Sequence, residues 1–228
     1  MCRLLAAALL LLLSHAAQAG RPLQSEDAGV LERGRCELET AVARLDPRRG
    51  EPRQDAGYAQ IACGAGGQTQ LALAPGFERG DGRANTLTAT GKTALRPLTD
   101  HQAGVLLAYS LIGSQPRHQG LRLAGSAARL VVTMPRGPWL LHANVGVLHN
   151  HDSGRDSTLW ALAAERTALG GLDLLAEVFG DDRDRTPWLN AGVRWRLVDE
   201  RLSLDASYGV QTNGARARLA TVGLKLLF

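Results

Sequence analysis

The sequence predicts an all-β fold: a transmembrane antiparallel up-and-down β-barrel of about twelve strands behind a cleaved export signal. Three observations lead there. Beyond its first apolar run, the chain has no stretch approaching the ~18 apolar residues of a membrane helix. Strand-like segments fill the rest of it, joined by connections that alternate between short and long. The last segment, Leu219–Phe228, has one apolar face and stops on an aromatic residue. Backbone polar groups in lipid must be paired internally, so strands cross only as a closed barrel.

Residues 1–19 read as a secretory signal peptide. Arg3 is its positive region, Leu4–Leu13 its apolar run and Ala17-Gln18-Ala19 its small-x-small cleavage site, so the mature chain is expected to start at Gly20. An uncleaved anchor helix is the competing reading. Cys2 precedes the apolar run and leaves with the signal. Residues 20–35 form a short polar lead, assigned to the periplasm with a plug in the lumen as the alternative, and the barrel is expected over 36–228.

Its strands are expected at 36–44, 57–64, 67–75, 85–96, 102–114, 120–133, 138–149, 157–168, 172–180, 187–197, 201–210 and 216–228. Each is long enough, or nearly so, for the ~9–11 residues of a tilted crossing. The short connections are 64–67, 97–101, 135–137, 169–171 and 198–200. The other set, mostly longer and more charged, is 45–55, 76–84, 115–119, 150–156, 181–186 and 211–215. Short turns on one side and longer loops on the other suit a transmembrane barrel with both termini on the short-turn side.

Alternation is clearest late in the chain. Leu202, Leu204, Ala206, Tyr208 and Val210 oppose Ser203, Asp205, Ser207, Gly209 and Gln211. Leu189, Ala191, Val193, Trp195 and Leu197 oppose Trp188, Asn190, Gly192, Arg194 and Arg196, and His142, Asn144 and Gly146 alternate with apolar neighbours. The polar sets should face the lumen, because Arg or Lys on the lipid face costs roughly 2–4 kcal/mol at the midplane. Segments 120–133 and 157–168 alternate poorly, and helix competes at 157–168, where good helix formers cluster.

The 228 residues suit one domain, and 45% hydrophobic content fits a barrel whose lumen is polar. The formal charge of +4 is small and dispersed, with no basic face carrying interleaved aromatics, which excludes nucleic acid as a partner. Aromatics are only 4%, so interfacial girdles must be sparse, drawn from Tyr109, Trp139, Trp160, Trp188, Trp195 and Tyr208. Cys36 and Cys63 fall at the base of the first hairpin on opposing strands, which predicts a disulfide in an oxidising compartment; two free thiols are the alternative. Two cysteines with no nearby His supply too few ligands for a metal.

In the terminal strand, Ala220, Val222, Leu224, Leu226 and Phe228 share one face against Thr221, Gly223 and Lys225, with Leu227 an apolar exception. This resembles the final strand of bacterial outer-membrane barrels. The resemblance implies an assembly signal at Val222, Leu224, Leu226 and Phe228, the barrel-assembly machinery and outer-membrane lipid as partners, and the outer membrane of a Gram-negative cell as location.

Three further stretches carry a family resemblance: Arg21-Pro22-Leu23 with Asp27-Ala28-Gly29-Val30 and Gly34-Arg35-Cys36-Glu37-Leu38-Glu39; Glu177-Val178-Phe179-Gly180; and Arg201–Gly209. They are similar to a family of predicted outer-membrane barrels labelled "meta-pathway of phenol degradation" or "transporter". The resemblance implies a channel for small aromatic or other organic compounds and carries over no functional residue.

The inward polar set includes Lys92, Asp173, Glu177, Arg194, Arg196, Asp205 and Lys225. Such charges either neutralise one another in a salt-bridged lumen or form a constriction that selects solutes. His149-Asn150-His151-Asp152 has ligand-type side chains but sits in an expected external loop, so a solvated loop outweighs a metal site. His142 with Ser126 or Ser207 is the one candidate for a hydrolytic set, and no Gly-x-Ser-x-Gly elbow accompanies it. Gly64-Ala65-Gly66-Gly67 lacks the Lys-Ser/Thr of a phosphate loop and reads as a turn.

The expected function is a monomeric passive channel or transporter for a small-molecule solute, with no catalytic residues, metal or cofactor. A non-conducting structural or binding barrel, a lipid-modifying enzyme and a soluble periplasmic sandwich are the alternatives.

Overall fold

A computed structural model describes residues 23–47, 52–183, 186–198, 201–212 and 217–228. The expected signal peptide lies outside them. All twelve expected strands form: β1 Cys36–Asp46, β2 Gln54–Gly66, β3 Thr69–Arg79, β4 Arg83–Arg96, β5 Gly104–Pro116, β6 Arg122–Arg136, β7 Trp139–Asn150, β8 Arg155–Thr167, β9 Leu172–Asp181, β10 Trp188–Val198, β11 Leu202–Gln211 and β12 Arg218–Leu227. Each pairs antiparallel with its sequence neighbours, and β1 pairs with β12 to close the barrel. Cys36 and Phe228 exchange backbone hydrogen bonds at 2.9 and 2.8 Å, so the closing seam reaches the last residue. Closure leaves no edge strand.

The strands run further than the alternation suggested. β3 and β4 extend to Arg79 and Arg83, so the expected loop 76–84 shrinks to residues 80–82, while 97–101 lengthens to 97–103. Loop lengths are therefore less sorted than expected, and pairing order and closure carry the topology. The 157–168 segment is a strand, β8, because both of its edges are taken by β7 and β9. One 3-10 turn at Leu169–Gly171 joins β8 to β9.

The radial pattern is inverted relative to a soluble protein. Val42, Ile61, Leu111, Val145, Leu189 and Val222 are all about half exposed on the outer face. Thr88, Ser110, Asn144, Asn190, Ser203 and Asp205 are buried on the inner one. Apolar residues outside and polar ones inside satisfy a wall that faces lipid and encloses its own polar lumen. Tyr109, Trp139, Trp195 and Tyr208 are on the outer face and available for girdles. Trp188, counted among them from sequence, is not: it is buried in the lumen at 3% exposure. Leu162, outward on β8 and 54% exposed, offers a test. Leu162→Arg is expected to destabilise the folded barrel by roughly 2–4 kcal/mol if it sits at the midplane, read as a lower urea midpoint in lipid.

Cys36 and Cys63 stand directly opposite in the β1–β2 register and form the expected disulfide. It closes the hairpin where the N-terminal lead joins the wall. Replacing both by serine is expected to cost roughly 3–4 kcal/mol in the chain-entropy model, read as a lower temperature for loss of heat-modifiable gel mobility.

Of the two places the sequence left open for the lead, the structure has the lumen and not the assigned periplasm. Of its described residues, 23–35, the stretch up to Arg33 folds back inside the barrel without regular secondary structure. At Gly34, with φ +81°, the chain turns back toward β1, and Gly34 N–H donates to the Gly64 carbonyl at 3.1 Å. Gly64 is needed at that crossing. A Cβ there would sit 2.1 Å from the Glu32 carbonyl oxygen and 2.5 Å from that of Leu31.

Candidate functional site in the barrel lumen

The lumen is layered along its axis. Toward the long-loop end it is apolar: Leu45, Phe179, Trp188 and Leu219 pack with Ala43, Ala56, Ala161 and Ala217. The Phe179 and Trp188 rings are nearly parallel, at 5°, with centroids 6.0 Å apart. Ile112, Leu148 and Leu159 form a second inner cluster. These apolar inward residues explain the weak alternation of β8, whose Leu159, Ala161 and Ala163 face other side chains rather than water.

The middle layer is the N-terminal segment. Gln24 N–H donates to both Glu177 carboxylate oxygens, at 2.7 and 3.0 Å, and Ser25 N–H donates to Oε2 at 3.0 Å. Glu26 N–H donates to Asn144 Oδ1 at 2.7 Å, and Asn144 Nδ2 returns a hydrogen bond to the Glu26 carbonyl at 3.0 Å. Ala28 N–H donates to Thr133 Oγ1 at 2.8 Å, and Leu31 N–H to Gln70 Oε1 at 3.0 Å. Arg129 donates to the Gln24 carbonyl at 3.2 Å. Two side chains of the segment seat in apolar contacts: Leu23 against Ala163 and Leu175, and Ala28 against Leu106 and Val131. The Glu26 carboxylate pairs with Lys92.

Below the segment, at the short-turn end, lies a vestibule of about 460 Å³ lined by charged residues, among them Asp27, Glu37, Glu165, Asp173, Arg194, Arg196 and Lys225. Arg194 donates to Glu165 at 2.9 Å, Arg196 lies 3.3 Å from Asp173, and Lys225 bridges Glu37 and Glu39 at 3.1 and 2.8 Å. Charges taken out of water need such partners. Thr133, His142 and Glu165 also line the vestibule. Thr133 Oγ1, accepting from Ala28, is free to donate its own hydrogen to His142 Nδ1 at 2.9 Å, and His142 Nε2 lies 3.5 Å from Glu165 Oε1. This relay ties the segment to the Glu165–Arg194 pair.

All seven charged residues expected to face the lumen line its inner wall. Asp173 serves Arg196 rather than Arg194, its partner in register, and Lys225 reaches β1 instead of Asp205. Asp205 is buried opposite Arg194 in register, and Glu177 holds the lead and Asn190. Sequence reading missed Glu26, Glu37, Glu39, Arg129, Asn144 and Glu165 as members of the site. For Glu37 and Glu39 the signal was their period-two spacing in β1; for Glu26, in an irregular segment, there was none.

The hydrolytic candidates do not meet. Ser126 contacts His151 at 3.2 Å and Ser207 contacts Thr221 at 2.8 Å, while His142 contacts Thr133. Thr133 itself is fully buried beneath the segment. His149 is spent on Asp156 at 2.7 Å and Asp152 on Arg122, and the described residues contain no metal-type cluster.

A family model described as "Uncharacterised conserved protein UCP029691" matches residues 7–228. The chain belongs to that family. A sequence comparison with curated proteins finds no match. Among solved structures, this family member is similar to the COG4313 outer membrane channel from Pseudomonas putida F1, with TM-score 0.62, 11% identity, and coverage of 89% of this chain and 98% of that one. It is also similar to the KdgM porin in complex with disordered oligogalacturonate, with TM-score 0.61, 9% identity and coverage of 83% and 98%. The NanC porin gives TM-score 0.58 at 7% identity, with coverage of 83% and 98%. All three likenesses concern the fold, that of outer-membrane barrels, and do not extend to the phenol-degradation label.

Proposed function

We propose that this protein is a passive channel for small solutes in the Gram-negative outer membrane, closed at rest by residues 23–33 of its own chain. The observation that carries the reading is how the lumen is blocked. The wall is held by twelve ladders of backbone pairing, whereas the blocking segment is held by hydrogen bonds from wall side chains, one ion pair and a few apolar contacts. A segment held this way can leave without opening the wall. Below it the vestibule already provides a solvent-sized entrance. Above it the Phe179–Trp188 layer is an apolar constriction of the kind that gates by dewetting. The stacked aromatic pair also supports small aromatic compounds among the solutes. The matched charges below argue for a salt-bridged lumen with weak ion selectivity.

The protein works as a monomer in this reading, since one chain closes the barrel. Val222, Leu226 and Phe228 project outward on the final strand, where the assembly machinery would meet them. The filled outer half favours one second reading, a non-conducting binding barrel.

Membrane fractionation and gel mobility with and without boiling test the location. Planar-bilayer recordings then compare the wild type with a variant that lacks residues 23–33 and carries Trp188→Ala. Steady conductance in that variant over a closed wild type supports the channel. A folded variant that stays closed supports the binding barrel.

A further inference from the structure

The contacts between wall and segment share one property. The amides of Gln24, Ser25, Glu26, Ala28 and Leu31 and the carbonyls of Gln24 and Glu26 are all taken by wall side chains. The wall residues come from separate strands: Gln70 on β3, Arg129 and Thr133 on β6, Asn144 on β7 and Glu177 on β9. They bond main-chain groups, which every peptide carries. Side chains of the segment are read at the Glu26–Lys92 pair and at the apolar contacts of Leu23, Ala28 and Val30. Buried main-chain groups must be paired, and this irregular segment finds its partners on wall side chains instead of in a helix or strand of its own, so the wall carries a set of groups placed to receive an extended backbone.

We propose that this part of the lumen is a binding site for peptide backbone, and that short peptides are a solute class of the barrel. Residues 23–31 are the occupant supplied by the chain itself. The inference rests on the channel reading. Glu177 suits amide donors or a terminal ammonium, and Lys92 suits an acidic side chain or a terminal carboxylate. The contacts at Leu23 and Ala28 select an apolar and a small side chain five positions apart. At the second, size is limited by the wall: Ala28 Cβ sits 2.9 Å from where a Cβ on Gly104 would stand.

The test is peptide binding by fluorescence anisotropy to detergent-solubilised protein lacking residues 23–33. Full-length Ala28→Arg, which crowds the segment out of its seat but leaves the wall intact, is the second variant should the deletion not fold. The probe is a labelled nonapeptide of the sequence of residues 23–31. It is compared with a scrambled nonapeptide and with two N-methylated forms. One is methylated at the Gln24, Ser25, Glu26 and Ala28 positions, whose amides bond the wall. The other is methylated at the Asp27 and Val30 positions. The first form is expected to bind roughly a hundredfold more weakly than the parent, since several hydrogen bonds go at once, and the second within about tenfold of it. The scrambled peptide is expected to bind detectably. Equal loss on both methylations, binding by the parent sequence alone, or no binding to either folded variant would overturn the peptide site. The channel reading is judged separately, by ion conductance: a conducting barrel that binds no peptide loses this inference and keeps the channel.

Discussion

Glu177→Leu is expected to release the N-terminal segment from the lumen. The buried carboxylate accepts three hydrogen bonds from the Gln24 and Ser25 amides and a fourth from Asn190 at 2.8 Å. Hydrogen bonds to charged groups contribute roughly 1.5–3 kcal/mol each, so losing those to the segment should shift docking by about a hundredfold or more. The measurement is the labelling rate of a cysteine placed at Ala28, a position only 1% exposed when docked, by a maleimide added to folded protein in lipid. The rate should rise by the same factor when opening limits access. Glu177→Gln keeps one acceptor oxygen and should give a smaller rise. An unchanged rate in Glu177→Leu would mean that the segment is not held at this carboxylate.

Trp188→Ala is expected to have the largest effect on the outer half of the lumen. Trp188 is 3% exposed and stacks on Phe179 among Leu45 and Leu219. Emptying such a site costs roughly 3–5 kcal/mol in a packed core. Water entering a lumen offsets part of that, so the lower end applies. The folded barrel should lose its heat-modifiable mobility at a lower temperature. Its conductance should change little by itself, because the segment remains in series with the constriction. Combined with Glu177→Leu, it should raise conductance by more than the two single changes together. Strict additivity would place the two barriers in separate paths.

Much of the wall was legible in the sequence. Period-two patterns in β7, β10, β11 and β12 assigned faces correctly, because each of those strands meets lipid on one side and polar groups on the other. The poor alternation of β6 and β8 has a tertiary cause. Val131 on β6 receives Ala28, and Ala163 on β8 receives Leu23, so the segment makes apolar inward positions favourable. Alternation placed Trp188 inward, and only its count among the girdle aromatics failed, since an aromatic at a strand end suits either an interface or a filled lumen and its neighbours decide.

By itself the sequence pointed to about twelve strands, the faces of the clearly alternating ones, the Cys36–Cys63 pair and seven charges of the lumen, because these follow from local periodicity and from the order of hairpins along the chain. Tertiary structure alone decided which inward charges pair, where the lead runs and that the lumen is occupied. Several of those contacts join residues more than a hundred positions apart, such as Ser25 with Glu177, and in a closed barrel they depend on which strands lie across the lumen from one another. No local pattern in a polar, irregular lead records that the far wall carries a carboxylate, an amide and a hydroxyl to receive its backbone.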